Sequence, residues 1–148
     1  MVLLFRKIIT TNLTILLLFQ VYLLFSCSER KGTVFEIRLA PDQVTSSAAY
    51  GNILFHGSKD LSLSRIECEG YASVEWHESR IDEKGVMHMK RVAFPRLVMG
   101  QKVYSFSRGG DHLMLIGRTR KIVEGETLLL TFYFSDDSRK QIQAKVTK

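Results

Sequence analysis

Apart from the initiator, the chain has four methionines, and three of them lie within two residues of a histidine, in Met87-His88-Met89 and His112-Leu113-Met114. Thioether sulfur is soft and uncharged, so it binds Cu(I) well and hard cations such as Mg²⁺ or Ca²⁺ poorly. Imidazole adds affinity without fixing the oxidation state. A set of thioethers and imidazoles with no thiolate suits reversible holding of Cu(I) in an oxidising compartment, where a free thiol pair is lost to oxidation. Zinc prefers Cys, His or carboxylate. Blue copper needs a Cys ligand beside His and Met. Cys68 lies on a different strand, ahead of His77, so that electron-transfer pattern is not met.

For these side chains to meet they must share a face. A strand points residues i and i+2 to the same side, which pairs Met87 with Met89 and His112 with Met114. Leu113 and Leu115 then feed the core, leaving His112 and Met114 on the outer face. His77 follows, because Val74 and Trp76 look inward while Glu75 and His77 look outward. A β-turn centred on Glu83 sets His77 opposite Met89; a register two residues higher makes them diagonal neighbours on one face. An odd register separates them to opposite faces. Core filling is the competing use of methionine. Two Met/His clusters on outward faces, one tied by a hairpin to a third histidine, weigh against it.

The elements that position these residues are strands. A charged fraction of 24% against 45% hydrophobic belongs to a globular chain, not to a disordered one. Thr33 to Ala40 alternates Phe35, Ile37 and Leu39 against Glu36 and Arg38, a period-2 pattern with one wet face. Further strands are predicted over Ala48–Phe55, Leu61–Cys68, Tyr71–Glu78, Val86–Val92, Lys102–Ser107, His112–Gly117, Glu126–Phe134 and Lys140–Val146. Short strands at this spacing, with turn signals such as Asp82-Glu-Lys-Gly85 between them, predict an all-β fold, a sandwich or small barrel. No segment outside the N-terminus sustains a helical period.

The N-terminus is different in kind. Residues 1–26 carry Arg6 and Lys7, no acid, and the apolar run Leu13–Phe25. That is the layout of a secretory signal, and the run is short of the roughly 20 residues of a membrane-spanning helix. An uncleaved anchor reaching back to Ile8 is the second choice. Leu24-Phe25-Ser26-Cys27 resembles a bacterial lipobox, which implies lipidation at Cys27 and attachment to a membrane; an ordinary signal peptide with a cysteine near the cut is the alternative. The expected organisation is therefore a lipoprotein-type signal peptide over 1–26, a polar tether over 27–32 and one domain over 33–148.

Several function classes find no support. The net charge of +6 comes from Lys and Arg scattered among acids, without the basic and aromatic motifs of a nucleic-acid binder, so no nucleic-acid partner is expected. G-x-S-x-G, H-E-x-x-H, C-x-x-C and a phosphate-cradling glycine loop are all missing, so the chain is not read as an enzyme. Cys68 is expected to be a small buried hydrophobe, His56 and His88 exposed side chains, and Met99 loop packing.

The stretch from Ser47 through Val146 resembles the PCuAC family of periplasmic copper chaperones. The resemblance is carried by Ala48-Ala-Tyr50, Val74-Glu-Trp-His-Glu78, Gly85-Val-Met-His-Met89, Gly109-Gly-Asp-His-Leu-Met-Leu-Ile-Gly117 and Val123-Glu-Gly-Glu-Thr-Leu-Leu-Leu-Thr-Phe132. It implies a cupredoxin-like Greek-key β-sandwich. It also implies Cu(I) ligands at His77, Met89, His112 and Met114. The intervals from His77 to Met89 and from Met89 to His112 are 12 and 23 residues, each one longer than the family spacing, which leaves Met87 as a substitute for Met89. Where members often carry a further Met after the first His, this chain has Glu78-Ser79. The implied role is Cu(I) delivery in the periplasm, toward an acceptor such as a cytochrome c oxidase subunit during copper-centre assembly or a Sco-type chaperone. The reading that competes with it is a metal-free lipoprotein β-sandwich acting as a protein-interaction module.

Overall fold

The alternating pattern becomes strand wherever the chain has one face to bury. A computed structural model of the chain describes residues 35–41, 43–55 and 59–148; the expected signal segment, the tether with Cys27, and His56 lie outside them. Ten strands form among the described residues: β1 (Phe35–Leu39), β2 (Ser47–Leu54), β3 (Leu61–Cys68), β4 (Tyr71–Ile81), β5 (Met87–Arg91), β6 (Arg96–Val98), β7 (Val103–Phe106), β8 (His112–Arg118), β9 (Thr127–Phe134) and β10 (Arg139–Thr147). Nine were expected from the pattern, and their ends fall within a few residues of the predicted ones. The tenth, β6, is three residues long and follows Pro95, too short to show an alternation. β4 runs on to Ile81 because its last residues keep pairing with β5.

The strands follow one hydrogen-bonded path, β5-β4-β8-β2-β1-β10-β9-β3-β6, with β7 paired to β2. Only β1 and β10 run parallel; the other pairs are antiparallel. The path folds over itself, so that β3 and β4, which sit in different halves of it and are joined by a tight turn, pack against each other. The described residues are all-β, as the sequence pattern predicts, and fit the cupredoxin-like fold that the family resemblance implies.

The inward positions fill the space between the halves. Phe35, Phe55, Trp76, Phe106 and Phe132 are all buried and meet as an aromatic cluster, with Trp76 and Phe106 ring centroids 4.9 Å apart at 64° and Phe55 and Phe132 at 5.9 Å and 73°. Tilted and edge-to-face packing of this kind adds to the area buried. Truncating Trp76, 1% exposed, to Ala is expected to cost about 3–5 kcal/mol.

β4 and β8 tie this core to the outer face. Their register sets Val74 opposite Leu115 and Trp76 opposite Leu113, and alternating with them Glu75 opposite Met114 and His77 opposite His112. The first two pairs are core. The alternation therefore presents the second two together on the other side of the sheet.

Candidate metal centre

Two histidines face each other across β4 and β8. His77 and His112 are direct cross-strand partners, with ring centroids 5.5 Å apart. Met114, two residues after His112, lies on the same face opposite Glu75. Met114 also borders a shallow depression of about 280 Å³ shared with Arg38, Ala48 and Tyr50. His112 points away from the core yet is only 7% exposed. The His77 ring on one side and the Tyr50 ring on the other, at 6.4 Å between centroids, cover it.

The hairpin between β4 and β5 fixes where the remaining methionines fall. Asp82 and Val86 close a loop of Glu83, Lys84 and Gly85, with Gly85 in the left-handed region at φ 78°, as three-residue hairpin loops require. The Asp82 carboxylate accepts from the Lys84 and Val86 amides, both at 2.9 Å. This loop sets the register at His77 opposite Arg91, Ser79 opposite Met89 and Ile81 opposite Met87. It is the higher of the two same-face registers. Met89 is thereby the diagonal neighbour of His77, and Met87 lies one more pleat away. Both are about half exposed, on a strand at the edge of the sheet.

A second loop orients His112. Ser107 and Asp111 pair through the Ser107 amide and Asp111 carbonyl at 2.7 Å, around Arg108, Gly109 and Gly110. A Cβ on Gly110 would stand 2.8 Å from the Ser107 hydroxyl, so this position takes no side chain without a shift. The Asp111 carboxylate accepts from the Trp76 indole N–H at 3.1 Å, pinning the loop to the core. Within it, Nδ1 of His112 lies 3.1 Å from the Gly110 carbonyl. A carbonyl only accepts, so Nδ1 carries a proton, and in the neutral ring Nε2 keeps its lone pair.

His77 is held in the opposite sense. Its Nε2 lies 2.9 Å from Oε2 of Glu75, whose other oxygen accepts from Arg91 at 3.0 Å. Nε2 therefore donates, and in the neutral ring Nδ1 is the lone-pair nitrogen. It is buried and makes no hydrogen bond among the described residues. A buried polar atom left so costs about 1–3 kcal/mol, and an electron-pair acceptor such as a metal ion removes that cost. Imidazole nitrogen beside thioether sulfur fits a soft monovalent ion. Among the described residues no group of three His, Cys, Asp or Glu gathers to hold a harder one.

The other singled-out residues fall apart from this face. Cys68 is buried, as expected, and burial with the Glu69 carboxylate nearby pushes its thiol up to about 12. His88 is exposed and donates to Asp82 at 2.8 Å. Met99 departs from expectation: it is 48% exposed rather than packed, because its segment is held through the backbone, the Met99 amide donating to the Tyr104 hydroxyl at 2.8 Å. Sequence reading gave no role to Glu75, Arg91, Tyr50 or Asp111. Three of these look like ordinary surface charges, and only the cross-strand register shows what they touch.

Comparison with known proteins shows the family and the fold. The family model of the LpqE-like proteins, a family named for a lipoprotein, matches residues 34–146. An uncharacterised Rickettsia prowazekii protein, RP573, is 29% identical over 104 residues, covering 70% of this chain. The match spans 57% of that relative's length. Among solved structures, the copper-bound PCuAC domain from PmoF2 superposes with a TM-score of 0.58 at 16% identity, covering 76% of this chain and 86% of that one. The Cu(I) form of DR1885 from Deinococcus radiodurans gives 0.59 at 21% identity, covering 82% and 83%. The family model covers most of the chain, and the β fold is the one seen in PCuAC domains: this chain belongs to the LpqE-like family.

Proposed function

We propose that the protein is an extracytoplasmic copper chaperone that holds one Cu(I) between His77, His112, Met114 and Met89 and hands it to a copper-accepting protein. The observation that carries this reading is the juxtaposition of two imidazoles across β4 and β8, 5.5 Å apart, on a face that also bears Met114 and Met89. The copper-bound forms of the PmoF2 domain and of DR1885 support it. So does the lipoprotein for which the family is named, which fits the lipobox at Cys27 and a place on the outer side of a membrane.

The chemistry follows from the donors. Two neutral imidazoles and two thioethers form an uncharged shell, which leaves the ion its single positive charge and disfavours divalent ions that seek carboxylate or thiolate. The shell is also graded in access. His112 is buried and His77 is nearly so, whereas Met89 stands half exposed on the edge strand. An acceptor's ligand enters beside Met89, displaces a weak neutral thioether, and draws the ion off the histidines in turn. The copper centre of cytochrome c oxidase, or a Sco-type thiol chaperone, is an acceptor of suitable chemistry. No step needs a bond made or broken in a substrate, so the protein acts as a carrier and not as an enzyme.

A Cu(I) competition titration of the purified protein, anaerobic and under reducing conditions, tests this. The expected result is one Cu(I) per chain, bound far more tightly than Zn²⁺. Absence of Cu(I) binding would leave the metal-free interaction module in its place.

A further inference from the structure

The two histidines are anchored through different nitrogens, and the anchor on His77 is a side chain. Glu75 and His77 share a face of β4, and Nε2 of His77 lies 2.9 Å from the carboxylate. Arg91, across the hairpin on β5, holds the other oxygen of Glu75 at 3.0 Å, which keeps the carboxylate in place over the ring. Nδ1 of His77 is buried without a partner among the described residues. On His112 the arrangement is reversed, with Nδ1 tied to the Gly110 carbonyl at 3.1 Å. We propose that Glu75 is a positioning residue for metal capture: by holding the Nε2–H of His77 it leaves Nδ1 alone to bind, so that copper is taken through Nδ1 of His77 and Nε2 of His112.

The inference rests on the copper reading but adds a separate claim about how one ligand is presented. A carboxylate on the far nitrogen fixes the tautomer and ring orientation and raises the basicity of the ligating nitrogen. Without it the ring can turn and offer Nε2 instead, which displaces the donor atom by the width of the ring. Loss of such a supporting group typically weakens metal affinity about 10–100-fold. Arg91 acts one step further out, on the carboxylate rather than the ring, so its removal should matter less.

Histidine ¹⁵N NMR of the full protein, first metal-free and then loaded with Cu(I), tests the claim, and Cu(I) is diamagnetic and allows it. In the metal-free wild type His77 should carry its proton on Nε2 and His112 on Nδ1. On loading, the shifted nitrogens should be Nδ1 of His77 and Nε2 of His112. Glu75→Ala should mix the binding nitrogens of His77, leave His112 unchanged and weaken Cu(I) binding about tenfold. Arg91→Met, which leaves the carboxylate on the ring, should keep the wild-type nitrogen pattern with a smaller loss of affinity. A wild-type His77 protonated on Nδ1 would overturn the proposal, as would a Glu75→Ala protein with wild-type affinity and nitrogen pattern. Equal losses in the two variants, which remove opposite charges, would also overturn it, by assigning the effect to disruption of the hairpin and not to the carboxylate on the ring. A wild type with the expected tautomers that binds no Cu(I) would overturn the copper reading instead, and the metal-free spectra separate that failure from the other.

Discussion

The two sides of the metal face are built differently. On β4 and β8 the donor residues alternate with core residues, so His77 and His112 stand on backbone that Trp76 and Leu113 lock from below. Each ring is further fixed by one hydrogen bond, His77 through Nε2 and His112 through Nδ1. On β5 no residue is buried. Met89 and Met87 hang from an edge strand whose register depends on one hairpin loop. On the proposed copper reading, the comparison predicts a division of labour: the rigid, covered side should set affinity, and the open side should set exchange.

Breaking the rigid side should have the largest effect. The double variant His77→Ala/His112→Ala removes both imidazoles and is expected to lower Cu(I) affinity by well over the roughly 100-fold that loss of a supporting group alone can cause. Competition titration reads the affinity, and circular dichroism should still report an all-β protein. Retained affinity would place the ion elsewhere. Met114→Leu, on the same side and of similar volume, should follow with a smaller loss and little change in stability.

The open side is probed by a pair. Met89→Leu should weaken binding modestly and slow transfer to an acceptor, whereas Met87→Leu, one pleat further from His77, should change affinity little. A larger effect of Met87→Leu would mean that the loop register shifts when the ion is bound.

A third change separates stability from binding. Arg96 on β6 bonds Glu78 of β4 at 2.6 Å and lies over the Trp76 ring at 4.4 Å, holding its carboxylate partner below the ordinary range. Arg96→Met should cost about 1–2 kcal/mol in denaturant unfolding at neutral pH. A depressed carboxylate pKa gives stability that is present above the unfolded value and lost as pH falls through the folded one. The wild type should therefore lose this increment in acid, and the variant should show a flatter acid limb. Cu(I) affinity should be unchanged in both cases.

The smallest effect is expected at Cys68. With its thiol pushed up to about 12 and its side chain buried, it should resist alkylation at pH 8 in the folded protein and react once unfolded, as peptide mass mapping would show. Cys68→Ser should leave Cu(I) affinity intact.

Much of this was legible in the residues themselves. Alternation in β1 reads directly as strand because it buries one face, and the order Leu113, Leu115 against His112, Met114 puts the candidate ligands outside. The register of β5 was not legible to the residue, because it turns on whether Gly85 takes the left-handed position of the loop, which shifts every pair by two. That shift decides between direct and diagonal contact for His77 and Met89. The role of Glu75 was hidden for a related reason. A glutamate two residues from a histidine on a strand is a common surface pattern, and it gains meaning only when Arg91 arrives from across the hairpin.

The central claim is the composition of the copper shell, and X-ray absorption of the Cu(I)-loaded wild type reads it directly. The predicted spectrum shows two imidazole nitrogens and two thioether sulfurs around one ion, with the imidazole signature lost in the His77→Ala/His112→Ala protein. A shell dominated by thiolate sulfur, or one without imidazole in the wild type, would contradict the account.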